Sequence, residues 1–175
     1  VVTPLTASVY ADTNPLIAQT AKVHVEQNGA AFGLFNFTEE YDKLWRQRTG
    51  YDGAGDEQLE PEDIVGVFAD DGSAAAVADR FEKVAPDDAD FTRAYALIRA
   101  IDSAPTPERM ASLRDLFDVP ALVEALAVGS VVQHWDTTVH NYELLREGST
   151  GRWRIVPTDY DLTIRNVEGV FPFGP

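Results

Sequence analysis

The chain has 175 residues, no cysteine and a formal net charge of −15. That charge repels a phosphate backbone and argues against a nucleic-acid partner. The missing thiols exclude disulfides, Cys-ligated zinc and a cysteine nucleophile.

Hydrophobic residues make up 45% of the chain, enough to build one domain with a core, and no apolar run reaches membrane-spanning length. Residues 1 to 20 are weakly patterned, with Leu16 to Thr20 leading towards a strand. The start lacks a basic opening followed by a long apolar run, so no signal peptide is expected. With no initial Met, the chain reads as an excerpt, incomplete at both ends. Lys22 to Gln27 alternates apolar and polar side chains, the period of a strand with one buried face. Asn28-Gly29 supplies two residues that tolerate positive φ, and Ala31 to Phe37 returns, so a β-hairpin is predicted over 21–38. Thr38 is expected to cap a helix with Glu39, Glu40 and Asp42 in its first turn, running through Leu44 and Trp45 to Gly50.

Residues 51 to 63 read as a polar, solvated loop. Asp52-Gly53-Ala54-Gly55-Asp56 holds carboxylates without the spacing of an EF-hand. Helices are expected over Ala74–Val84, over Asp90–Ala100 with Phe91, Tyr95 and Ile98 at core spacing, and from Pro107 onward with Met110, Leu113 and Phe117. Asp118 is expected to cap the next helix, Ala121–Gln133, with Pro120 in its first turn. Its one charged residue is Glu124, so it should be buried and should aim Trp135-Asp136 rigidly.

The end of the chain carries the chemistry. Asp136 and Asn141 are spaced as D-x-x-x-x-N. Tyr142–Arg146 and Arg152–Val156 both alternate and are joined by Gly148-Ser149-Thr150-Gly151, a second hairpin that delivers Asp159 and Asp161. Protein kinases use the same order of parts: a loop Asp, an Asn five positions on, then a metal-binding Asp after a hairpin. The H-R-D and D-F-G spellings are absent. Asp159 and Asp161 share a face in extended chain and would repel unless a cation or proton lies between them. From the residues alone, Asp136 can equally be a turn residue, Asn141 a strand-edge amide, and the later pair ordinary turn acids. His24, His134 and His140 lack zinc-ligand spacing, His140 reads as packed or exposed with loop positioning by a hydrogen bond as its alternative, and Trp45, Trp135 and Trp153 read as core. No P-loop or nucleophile elbow is present.

Three blocks resemble the CotH family, the spore-coat-protein-H-like atypical protein kinases. They are Val25-Glu26-Gln27-Asn28-Gly29 through Glu39-Glu40-Tyr41-Asp42-Lys43, Gln133-His134-Trp135-Asp136 through His140-Asn141-Tyr142, and Gly151-Arg152-Trp153 through Pro157-Thr158-Asp159-Tyr160-Asp161. Together they cover roughly a third of the chain. The resemblance implies an α+β, divergent protein-kinase-like fold: a small antiparallel β part plus a helical lobe carrying a catalytic loop and a β-hairpin. One partial domain would span 1–175, with the hairpin at 21–38 and a mainly helical lobe at 39–175. It also implies ATP and magnesium or manganese as cofactors. Asp136 would be the catalytic-loop acid, Asn141 and Asp159 the metal ligands, Asp161 a further metal contact, and Glu39 a nucleotide contact or a helix cap.

Thr158 stands where the family has Trp, Leu162 follows where Gly is usual, and the loop after Gly50 lacks a Lys often seen there. Lys22 and Lys43 are the nearest candidates for a phosphate-contacting Lys, and neither sits in that motif. The expected function is a transferase passing the γ-phosphoryl of ATP to Ser or Thr of a surface or secreted protein, basic if the acidic surface selects it, at a bacterial cell surface or outside the cell. The alternative is a catalytically inactive, structural or adhesive surface module. An acid/base glycosidase built on two of these carboxylates is a third reading.

Overall fold

The structure, a computed structural model, describes residues 2–14, 16–62, 72–102 and 106–164. The expected 39–175 segment therefore lies outside the described residues from 165 onward. The chain opens on a helix, α1 (Val2–Ala11), where the sequence showed little pattern. It buries Thr6, Ala7 and Tyr10, a single face at helical spacing. Two of those three are small or polar, so hydrophobicity did not reveal the period.

Strands β1 (Thr20–Gln27) and β2 (Ala30–Thr38) form a two-stranded antiparallel sheet of their own. Asn28 and Gly29 adopt φ of 53° and 79°, as a tight hairpin turn requires. Val23 lies opposite Phe35 and Ala21 opposite Phe37. No residue of either strand is buried. Helix α2 (Lys43–Thr49) begins later than expected. Thr38 ends β2 instead of capping, and the cap is Asp42, whose carboxylate accepts from the amides of Leu44 and Trp45 at 2.8 and 3.1 Å. A carboxylate there satisfies orphan donors and meets the positive end of the helix dipole.

The second sheet has four antiparallel strands in the order β4-β3-β5-β6, formed by β3 (Glu57–Pro61), β4 (Phe81–Ala85), β5 (Tyr142–Arg146) and β6 (Trp153–Pro157). The later hairpin was expected, but β3 and β4 were not. β3 lies in the stretch read as a solvated loop. In the predicted helix Ala74–Val84, only Ala74–Val77 is helical (α3). β3 is polar in sequence yet buried, because its polar groups have partners. The Glu57 carboxylate lies 2.6 Å from Arg93 and 3.9 Å from Lys83, and Gln58 donates to Glu143 and to the Tyr41 carbonyl. Asp56, the last acid of the 52–56 stretch, accepts from the amides of Gly53 and Gly148.

Helices α4 (Thr92–Asp102), α5 (Pro107–Leu116) and α6 (Val119–Val132) follow α3 and β4 and precede β5. β5 is buried on both sides. Leu144 joins Leu59, Phe81, Trp153, Leu97 and Ile98 in one core, while Leu145 joins Tyr10, Ile17, Trp45, Val156 and Tyr160 in the other. Asp118 caps α6 and also pairs with Arg154 of β6. The expectation that α6 is buried all round is corrected. It buries Ala125, Gly129 and Val132 along one stripe, and Val123, Leu126 and Val131 are exposed, since only one face meets α1 and β6. Among the described residues no helix is long and apolar enough to cross a membrane.

Candidate active site

The loop after α6 is built by backbone geometry first. Gln133 takes a left-handed conformation, φ 58°, and ends the helix, so the His134 amide turns back to the Gly129 carbonyl at 2.8 Å. A short 3₁₀ turn follows over Asp136–Thr138. The amides of Val139, His140 and Asn141 all donate to the Asp136 carbonyl, at 3.0, 2.9 and 3.2 Å. That winding folds the five-residue spacing back on itself. Asn141 Nδ2 reaches Asp136 Oδ2 at 2.8 Å. The Thr137 hydroxyl and the Thr158 amide both donate to the Asn141 carbonyl, at 2.8 and 2.9 Å, which brings the strand leading to Asp159 alongside.

Asp136 is 6% exposed, and its Oδ1 has no hydrogen-bond partner. Burial pushes its carboxyl above the usual carboxylate range. The neighbouring His134 opposes this, and the charges of Asp159 and Asp161 add to it. Asn141 thus orients the carboxylate through Oδ2, while Oδ1 is buried against His134 Nε2, 3.2 Å away. Asp159 and Asp161 are exposed, and Asp159 has φ 49°. Asn141 turns its Nδ2 to Asp136, which leaves its amide oxygen on the opposite side. Among the described residues no group of three or more His, Asp or Glu is disposed to hold a metal alone. Magnesium is usually held by one or two carboxylates together with substrate phosphates and water, so a complete shell of protein ligands is not required of this site.

Glu39 is not brought to this cluster by any hydrogen bond or ion pair. Its carboxylate takes a bidentate grip on Arg48, at 2.9 and 2.6 Å, and accepts from the Gln19 amide at 2.9 Å. The Arg48 hydrogen bond holds its pKa below the ordinary glutamate value. The helix cap proposed for it falls to Asp42. Of the three tryptophans read as core, Trp45 and Trp153 are buried, while Trp135 is 40% exposed beside Asp136.

His134 is the residue that sequence reasoning missed. It is 2% exposed, with Nε2 3.1 Å from the Asp159 carbonyl oxygen and 3.2 Å from Asp136 Oδ1. Burial lowers its pKa, against the attraction of Asp136. The available signal was H-x-D: His134 sits two positions before Asp136, as the His of an H-R-D motif does. Zinc-ligand spacing does not register that pattern.

The family model described as CotH kinase protein matches residues 1–171. No curated protein matches the chain.

Proposed function

The chain belongs to the CotH kinase protein family, and from that premise we propose that it is an atypical protein kinase transferring the γ-phosphoryl group of ATP to a Ser or Thr hydroxyl. A kinase family implies a nucleotide, a divalent metal and a protein substrate. The observation that carries the reading is the Asp136 carboxylate: buried, oriented by Asn141 through Oδ2, and without a hydrogen bond at Oδ1.

In this reading the substrate hydroxyl lies against the Asp136 carboxylate. Its oxygen forms the new bond to the γ-phosphorus as the bond from that phosphorus to the β-phosphate oxygen breaks. The hydroxyl proton passes to Asp136, and ADP leaves. A carboxyl whose pKa is raised by burial is a better proton acceptor than an exposed one, because its basicity lies closer to working pH. Asn141 through its amide oxygen, with Asp159 and Asp161, would hold the metal. The metal, when bound, supplies charge neutralisation on the phosphates. Glu39 would touch the nucleotide only where a ligand hydroxyl or amine shares its carboxylate with Arg48.

The net charge of −15 favours a basic protein segment as acceptor. A bacterial surface or extracellular location is part of the same proposal, and cell fractionation tests it. The decisive variant is Asp136→Asn, which keeps the size of the side chain and an oxygen for Asn141. Radiolabel transfer to the protein itself or to a basic protein should fall by about 10²–10⁴-fold, with the thermal midpoint unchanged within about 2 °C. Equal transfer by the variant and the wild type would end the assignment of Asp136.

A further inference from the structure

We propose that helix α1 is part of the catalytic apparatus: through Tyr10 and His134 it sets the Asp136 carboxylate against the segment that carries Asp159. The inference rests on the reading of Asp136 and Asp159 given above, and Tyr10 and His134 enter it as positioning residues.

Hydrogen-bond inventory fixes the direction of the relay. His134 Nε2 faces two oxygens, the Asp159 carbonyl at 3.1 Å and Asp136 Oδ1 at 3.2 Å. A carbonyl and a carboxylate only accept, and a nitrogen lone pair placed between them would meet only repulsion, so the proton is on Nε2. It is donated to the carbonyl, since Oδ1 has no hydrogen bond of its own. A neutral imidazole carries one N–H, which makes Nδ1 an acceptor. In that tautomer the Tyr10 hydroxyl, 3.0 Å from Nδ1, is the donor. The phenol holds the ring from one side so that the other side presents its N–H to the Asp159 backbone, within reach of Asp136.

The surroundings leave the relay little freedom. Tyr10 is fully buried, and the Tyr10, His134 and Tyr160 rings contact one another with centroids 5.4 to 5.7 Å apart. A Cβ on Gly129 would stand 3.1 Å from the Tyr10 hydroxyl, so the bare α-carbon admits the phenol beneath α6. One turn earlier on α1, the buried Thr6 hydroxyl meets that of Thr163 at 2.6 Å, and Thr163 donates to the Tyr160 carbonyl at 2.7 Å. Helix α1 thus grips the Asp159 segment on both sides, at His134 before it and at Thr163 after it. A shift of α1 would move Asp159 relative to Asp136, and so change the distance across which a phosphoryl group must be held.

The test uses Tyr10→Phe, His134→Gln, His134→Asn and the Tyr10→Phe/His134→Gln double variant, with two readouts. Ring-nitrogen NMR of the metal-free protein should show His134 protonated at Nε2, with the Nδ1 resonance displaced as a hydrogen-bonded acceptor and that displacement lost in Tyr10→Phe. In transfer assays, Tyr10→Phe should lower kcat about 10- to 100-fold, the range typical of residues supporting a metal site, with KM for ATP changed by less than about 3-fold. Glutamine can place an N–H near the position of Nε2 and asparagine cannot, so His134→Gln should keep more of the rate than His134→Asn. Glutamine offers nothing at Nδ1, so Tyr10→Phe should add no further loss in the His134→Gln background.

Protonation at Nδ1, an unchanged kcat in Tyr10→Phe, or independent losses in the double variant would each overturn the proposal. So would a lower melting temperature with full kcat per folded molecule, the mark of a purely structural contact. A wild-type protein that shows the nitrogen signature yet transfers no phosphate supports the relay and overturns the kinase reading instead.

Discussion

Glu143 shows how much one buried side chain can impose on the protein. It stands two positions after Asn141, is 4% exposed, and is held by Gln58 Nε2 at 2.9 Å. Burial raises its carboxyl from 4.5 to about 8. The Gln58 hydrogen bond acts in the opposite direction, and the charges of Glu60 and Glu82 add to the rise. The folded state binds this proton more tightly than the unfolded chain does. The resulting stability is therefore full below the unfolded value near 4.5, declines as pH rises towards 8, and is absent above it. Glu143→Gln keeps an acceptor for Gln58 and removes the titration. Its urea midpoint should be nearly level between pH 5 and pH 9, where the wild type loses on the order of a few kcal/mol; parallel profiles would refute the assignment. At this scale the sequence was informative where spacing carried the message, since D-x-x-x-x-N closes into a direct Asp136–Asn141 hydrogen bond. It was silent on Glu143, whose burial follows from neighbours on other strands, and on His134, whose partners lie 25 and 124 positions away.

Among the elements, the two hairpins were legible because each combines period-two alternation with a turn dipeptide or glycine-rich loop. β3 was not, because Glu57 and Gln58 are buried by pairing and hydrophobicity cannot register a partner. β4 was hidden behind the alanine run of α3, which reads as helix for longer than it remains one. The extent to which α6 is covered was misjudged for a related reason: an all-apolar helix states no preferred face, and contacts alone choose Ala125, Gly129 and Val132. The loop joining β5 to β6 offers a sharp check on this architecture. A Cβ on Gly148 would collide with the Ala54 carbonyl oxygen and fall 2.9 Å from the Asp56 nitrogen, both backbone atoms that cannot swing aside. Gly148→Ala should cost about 1–3 kcal/mol in chemical denaturation, and it should do so without changing transfer per folded molecule, since Asp136 lies beyond the other end of β5.

Over the whole molecule, the proposed activity makes a thermodynamic demand independent of turnover. A ligand that binds only the folded chain raises its stability by RT ln(1 + [L]/Kd), about 2.7 kcal/mol at a hundredfold excess over Kd. Among the described residues no group of carboxylates is disposed to hold a metal alone, so in the proposed reading phosphate oxygens would complete the metal's shell. ATP with magnesium should therefore raise the melting temperature by more than the sum of the two added separately. A strictly additive response would mean that the site does not form around a metal–nucleotide complex.

The first hairpin has a different consequence. Neither β1 nor β2 buries a residue, and among the described residues each pairs along one edge alone. A two-stranded ribbon is marginal without a covering layer, so it can detach and re-form while the four-stranded sheet stays shut. Deuterium should enter the amides of Val23 and Phe35 far sooner than those of Leu144 and Val156, and at a rate that added urea hardly changes. The chain would then have two clocks, a fast one at the ribbon and a slow one beneath Asp136.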